Sequence, residues 1–130
     1  MSEAIRVGQA PQFPLPFSHA IRAGEFVYVS GQVGVDPVTR ELVGDSVEAQ
    51  TEQCIRNIEI ILAECGLTFD HVIKTNAFLS NGADLPAYNE TYARVVKNPY
   101  PARTTVVCGI GTYKIEIDVV AYAPSKRGEA

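Results

Sequence analysis

Lys114-Ile115-Glu116-Ile117-Asp118-Val119-Val120-Ala121-Tyr122 is the stretch whose reading decides the fold. Its β-branched residues and period of two make it a strand, with Ile115, Ile117, Val119 and Ala121 on one face. Glu116 and Asp118 share the other. Just upstream, Tyr100-Pro101-Ala102-Arg103-Thr104-Thr105-Val106-Val107 enters a second strand. Pro101 biases its neighbour towards extended backbone and the Thr-Thr-Val-Val run continues it. Alternation groups Arg103 with Thr105 and Val107. With the two strands expected side by side, Arg103, Thr105, Glu116 and Asp118 would share one face, too mixed for solvent and too polar for core. A guanidinium fork beside carboxylates suits a small-acid site: the fork takes a carboxylate in two parallel hydrogen bonds, and the carboxylate handles a water or a proton. The competing reading is an Arg–Glu pair on a solvated sheet face.

Working outward, Val72 to Leu79 reads as a strand and Phe26 to Ser30 as another, opening at Ser30-Gly31-Gln32. Asp36-Pro37-Val38-Thr39-Arg40 is a turn that could pair the chain with Leu42-Val43 as a hairpin. Asp45 and Glu48 have capping-box spacing, and the helix they open should run to about Cys65, where Gly66 stops it. Its apolar stripe, Cys54, Ile55, Ile58, Ile61, Leu62 and Cys65, is core. A second helix, capped by Asp84 with Pro86 in its first turn, runs to about Val96. It buries Leu85, Tyr88, Tyr92 and Val95, with Asn89 beside that stripe. Residues 1–13 read as an extended, proline-rich arm and 124–130 as a flexible tail of one domain spanning 1–130.

The expected class is α+β: about six mostly antiparallel strands with two helices on one face. Two helices cover only one side of such a sheet, so the other side invites packing against copies of the same chain, with sites between subunits. The 130 residues are 46% hydrophobic and 20% charged, with net charge −4, which suits a globular domain and argues against a polyanion-binding track. No apolar stretch reaches a membrane span and the opening Met1-Ser2-Glu3-Ala4-Ile5-Arg6 has no signal-peptide core, so a cytoplasmic location is expected. Cys54, Cys65 and Cys108 lack metal-ligand spacing and are expected as buried free thiols. His19 and His71 are far apart, indicating neither a metal site nor a Cys–His pair.

The chain resembles the RidA (YjgF/L-PSP) family of reactive-intermediate deaminases from about Pro14 to Ala123. The carriers are Leu15-Pro16-Phe17-Ser18-His19-Ala20, Val27 to Pro37 with its Ser30-Gly31-Gln32, Val72-Ile73-Lys74-Thr75, Tyr88-Asn89-Glu90-Thr91-Tyr92, Pro101-Ala102-Arg103 and Lys114 to Asp118. The resemblance implies a fold like that of the trimeric chorismate mutases, a homotrimer with intersubunit clefts, and hydrolysis of enamines and imines to 2-oxo acids and ammonia. It implies no metal and no organic cofactor. Arg103 matches the arginine that holds the substrate carboxylate, and Glu116 the glutamate that handles water. Ser30, Gly31, Asn89 and Thr105 match positions lining the cleft.

Two positions depart from the common pattern: Phe17 replaces a tyrosine, and Thr105 a residue often cysteine. Leu15-Pro16-Phe17 with Val107-Cys108-Gly109-Ile110 is similar to the aminoacrylate deaminase branch, which leaves the reaction class standing and the substrate open. The expected substrates are 2-iminopropanoate or 2-iminobutanoate, with 3-aminoacrylate as the alternative. Readings from other classes are a 2-oxo-acid-binding or chaperone-like trimer without turnover, and an endoribonuclease, against which the acidic charge argues. Asp118 is expected to be structural, Phe26 and Tyr28 to pack, and Asn89 to orient a water or a loop.

Overall fold

Six strands form one sheet in a computed structural model that describes residues 2–124. They are β1 (Ser2–Ile5), β2 (Ala20–Ala23), β3 (Phe26–Val33), β4 (Val72–Leu79), β5 (Ala102–Val107) and β6 (Ile115–Tyr122). The spatial order is β1-β2-β3-β6-β4-β5, antiparallel throughout except for β4 and β5. That parallel pair needs a crossover, which helix α2 (Leu85–Val95) supplies. Helix α1 (Val47–Glu64) joins β3 to β4, and both helices pack on the same face.

The core lies between helices and sheet. Ile115, Ile117, Val119 and Ala121 of β6 are fully buried there against Cys54, Ile55, Ile58, Ile61 and Leu62 of α1 and Tyr88 and Tyr92 of α2. Each of those aliphatic side chains contributes roughly 1.5–3 kcal/mol on burial. Polar side chains tie α1 to the sheet's end. Asn57 Nδ2 donates to the carbonyls of Val33 (3.1 Å) and Val35 (3.0 Å), and the Cys54 thiol donates to Gln32 O at 3.2 Å.

Helix starts differ from the sequence reading. Ser46, not Asp45, caps α1: its hydroxyl accepts from Ala49 N at 3.1 Å. Asp84 makes no capping bond because a 3₁₀ turn, Gly82–Asp84, already precedes α2, capped by Asn81 accepting from Ala83 N. Gly66, at φ 75°, ends α1 as expected, since a Cβ is strained there. Leu85 stays exposed, and Val95 is half-buried. The hairpin beyond Asp36 shrinks to a single bridge, Val35 with Leu42, because the Asp36 carboxylate takes the amides of Val38 and Thr39 and closes the turn on itself. Of the three thiols only Cys54 is buried; Cys65 is half-buried and Cys108 exposed.

The opening segment, expected as a free arm, begins as edge strand β1 against β2 and then folds back so that Val7 and Ala10 enter the core. Buried His19 holds that fold-back: Nδ1 accepts from Val7 N and Nε2 donates to Pro11 O, both at 2.9 Å. Of the tail expected at 124–130, residues 125–130 lie outside the described residues. Among the described residues no helix is long and apolar enough to cross a membrane.

Candidate active site

β5 and β6 are not neighbours. β4 lies between them, and the registers run Arg103–Thr75–Val119 and Thr105–Ala77–Ile117 across the three strands. Thr75, Val119, Ala77 and Ile117 are all buried beneath the helices, so Arg103 and Thr105 belong to the covered face. Glu116 is level with Phe78 and Val106, and Asp118 with Asn76 and Thr104, on the bare face. The single polar face expected from the sequence is therefore two half-sites on opposite sides of the sheet. Alternation within each strand was read correctly; the phase between strands depends on register, which neither strand carries alone.

On the covered face, α2 delivers a shelf for the arginine. The Arg103 guanidinium lies over the rings of Tyr88 (5.2 Å) and Tyr92 (5.1 Å), which tilt against each other at 5.7 Å. Stacking of this kind contributes about 0.5–1 kcal/mol at an exposed site and restricts a side chain that would otherwise sample many rotamers. Asn89, one residue along the helix from Tyr88, accepts from Arg103 Nη2 at 2.8 Å. Tyr92 is itself fixed by a 3.0 Å hydroxyl contact with buried Thr75. The guanidinium edge opens into a pocket of ≈ 300 Å³ lined by Asn89, Tyr92, Ala93, Tyr100, Pro101 and Arg103. Thr105 lies two residues further along β5, its hydroxyl buried and unpartnered.

The other half-site is made by a backbone irregularity. Between Val29, level with Val119, and Gln32, level with Ile117, β3 carries one extra residue, so Ser30-Gly31 bulges. There the Gly31 Cα sits against the Glu116 side chain, and an added Cβ would strike the carboxylate. Ser30 anchors the bulge: its amide donates to His19 O at 3.0 Å and its hydroxyl to Ser18 O at 2.5 Å, which holds half-buried Phe17 nearby through the chain. Glu116 makes no hydrogen bond or ion pair within the described residues. Burial, and then the neighbouring charge of Asp118, raise its pKa above the usual carboxylate value. Asp118 has its own partner, Asn76 Nδ2 at 2.9 Å.

Thus Phe17, Ser30, Gly31 and Glu116 gather at one corner, and Asn89, Arg103 and Thr105 at another. The competing Arg–Glu surface pair does not form: the ion pairs found among the described residues join Glu52 to Arg56 and Arg94. The sequence reading missed the role of Tyr88 and Tyr92 as the arginine's shelf. Their i, i+4 spacing around Asn89, on the sheet-facing side of a helix that leads into the arginine's strand, was the available signal. Phe26 and Tyr28, expected to pack, lie partly exposed on the bare face.

Residues 7–123 match the model of the family described as Endoribonuclease L-PSP. The chain belongs to the RidA (YjgF/L-PSP) family. It is 39% identical over 121 residues to the Reactive Intermediate Deaminase A, chloroplastic, of Arabidopsis thaliana, covering 92% of this chain and 65% of the plant protein. A 2-iminobutanoate/2-iminopropanoate deaminase of Dermatophagoides farinae is 35% identical over 97 residues, 75% of this chain and 76% of that one. Among solved structures, RidA from an Antarctic Psychrobacter superposes with a TM-score of 0.86 at 34% identity, over 92% of this chain and 98% of its own. This RidA-family chain therefore shares the relatives' fold, a mostly antiparallel six-stranded sheet with two helices on one face.

Proposed function

We propose that the chain hydrolyses 2-imino acids of the 2-iminopropanoate and 2-iminobutanoate type to 2-oxo acids and ammonia, at sites completed between copies of a homotrimer. One observation carries the reading: a positive and a negative charge, each unpaired with any opposite charge among the described residues, stand on opposite faces of one sheet. A single chain cannot bring Arg103 and Glu116 to one small molecule. A copy whose bare face docks beside the first copy's β5 edge can. The bare face also exposes Tyr28, Phe26, Tyr122 and Val106, apolar surface that such docking would cover.

The chemistry divides accordingly. Arg103, already ordered on its tyrosine shelf, takes the substrate carboxylate on its open edge and so fixes the adjacent imine carbon. Glu116 of the neighbouring copy aligns a water on that carbon and accepts its proton. The water oxygen bonds to carbon as the second carbon–nitrogen bond of the imine opens and the first proton passes to nitrogen, giving a carbinolamine. Glu116 then carries the remaining hydroxyl proton to nitrogen as the carbon–nitrogen single bond breaks, leaving the 2-oxo acid and ammonia. A pKa raised by burial brings Glu116 nearer to the pH at which it must both take and return a proton. Names among the relatives support this reaction class, and the net charge of −4 argues against an RNA substrate.

The test generates 2-aminoacrylate from serine with a serine dehydratase and follows pyruvate and ammonia release with and without this protein. Acceleration above the solvent rate supports turnover. Solvent-rate hydrolysis with tight 2-oxo-acid binding would leave a binding protein instead. Phe17 favours a second reading, 3-aminoacrylate as substrate, since a residue without a hydroxyl adjoins Ser18, whose carbonyl holds Ser30 beside the Gly31–Glu116 corner. Phe17→Tyr should then shift the rate ratio between iminobutanoate and aminoacrylate; an unchanged ratio would reduce residue 17 to packing.

A further inference from the structure

Beneath Arg103 the structure holds two polar atoms that packing does not explain. Tyr88 is fully buried, and its hydroxyl has no hydrogen-bond partner among the described residues. The Thr105 hydroxyl, facing it from β5, is also buried and unpartnered. Burial pushes the phenol's pKa up, while the Arg103 charge and the approach of the Thr105 hydroxyl and the Arg103 guanidinium to the phenol oxygen pull the other way, so both groups already reach it without closing a bond of good geometry. A phenylalanine would fill the same space, give the guanidinium the same ring face at 5.2 Å and leave no orphaned hydroxyl. A buried hydroxyl without a partner weakens a fold, and such groups in a well-packed core mark a cost carried for function.

We propose that Tyr88 is a positioning residue: its hydroxyl is the partner that Arg103 takes up when a ligand carboxylate engages the guanidinium. This rests on the reading of Arg103 as the carboxylate anchor. A guanidinium has five N–H donors, of which the resting structure spends one on Asn89. A carboxylate takes two along the open edge. An inward N–H then donates to Tyr88 Oη, whose own proton is donated to Thr105 Oγ1, so that both orphans are satisfied in the liganded state. Neither hydroxyl touches the ligand. They set the angle at which the fork is presented, an effect equal in ground and transition states.

The experiment measures thermal stability, steady-state kinetics of imine hydrolysis and calorimetric binding of 2-oxobutanoate for the wild-type protein, Tyr88→Phe and Thr105→Val. For Tyr88→Phe the expected result is a melting temperature about 3 °C higher. KM and the 2-oxobutanoate Kd should each rise about fivefold, with kcat within about twofold, because uniform binding alone is lost. Thr105→Val should act in the same direction, and the double variant should be no worse than either single one. Tyr92→Phe is the structural control: it removes the 3.0 Å bond to Thr75 and should lower the melting temperature instead. A Tyr88→Phe protein that is more stable, with KM and Kd unchanged, would overturn the proposal, since the hydroxyl would then be a tolerated defect. So would one that is less stable, since the hydroxyl would already be paired at rest. If the wild-type protein binds 2-oxobutanoate without hydrolysing imines, the hydrolase reading fails, and the Kd comparison still decides the role of Tyr88. If it binds no 2-oxo acid at all, the carboxylate anchor and this proposal fall together.

Discussion

Two corners of this sheet are built by different means. At the Arg103 corner the work is done by side chains: two aromatic rings and an amide from α2 hold a guanidinium that enters from β5. At the Gly31–Glu116 corner it is done by backbone: one extra residue in β3 opens a space that a single methyl group would close. The first corner rests on the core and presents a charge outward from it. The second lies on the face that no helix covers, and its carboxylate has no hydrogen-bond or ion-pair partner among the described residues. The difference teaches that the strand order holds the guanidinium and the carboxylate on opposite faces, so that neither neutralises the other within one chain.

The largest expected effect breaks the side-chain corner. Arg103→Ala should lose on the order of 2–4 kcal/mol of transition-state stabilisation, as for a bidentate charged hydrogen bond to the substrate. Arg103→Lys should retain only a minor part of the rate, since the charge stays but the fork geometry goes. Circular dichroism and molecular mass should be unchanged, because the guanidinium is exposed and stacked on the core without being part of it. Full activity in a folded Arg103→Ala protein would remove the carboxylate anchor.

A smaller effect probes the backbone corner. Gly31→Ala should displace the Glu116 carboxylate, the flexible end of a side chain, rather than the backbone, so the protein should fold. Misplacing the base should cost roughly tenfold in kcat with KM little changed. A wild-type kcat in that variant would mean that the close approach of Gly31 and Glu116 has no part in turnover.

The smallest effect is a shift along the pH axis. With Glu116 as the proposed base its ionised form would be the active one, so the rate should fall on acidification at a pH above the ordinary carboxylate value of 4.5. Asp118→Asn removes a repelling charge, lowers the Glu116 pKa and should move that acid limb to lower pH. Stability carries the opposite sign. With its pKa raised in the fold, Glu116's contribution is complete below 4.5 and is lost as pH rises through the raised value. Glu116→Gln should accordingly be more heat-stable at neutral pH while losing activity. An acid limb that stays in place in Asp118→Asn would separate the pH profile from Glu116.

What could be read from the residues follows from how local each signal is. The period of two in Ile115 to Ala121 and the stripe from Cys54 to Cys65 are properties of single elements, and both faces are buried as expected except at half-buried Cys65. The Ser30-Gly31 opening was legible because glycine marks a strand irregularity within a few residues. The relation of Arg103 to Glu116 was not legible, because it depends on β6 pairing with β3 and β4 and thereby separating β5 from its sequence neighbour. The caps failed at the same scale: Asp45 and Ser46 are both good caps, and only the path of the preceding loop chooses between them. The tyrosine shelf was visible as buried aromatic residues, but its cation could not be assigned without the strand order.

Subunit mixing tests the central claim most directly. Arg103→Ala and Glu116→Gln proteins, each nearly inactive alone, are unfolded together in equal amounts and refolded, and imine hydrolysis is measured per site. If each site takes its arginine from one copy and its glutamate from another, random assembly into trimers restores about one quarter of wild-type activity, since half of each contributor is intact. Recovery no greater than that of the separate variants would contradict the account and place both residues' work within a single chain.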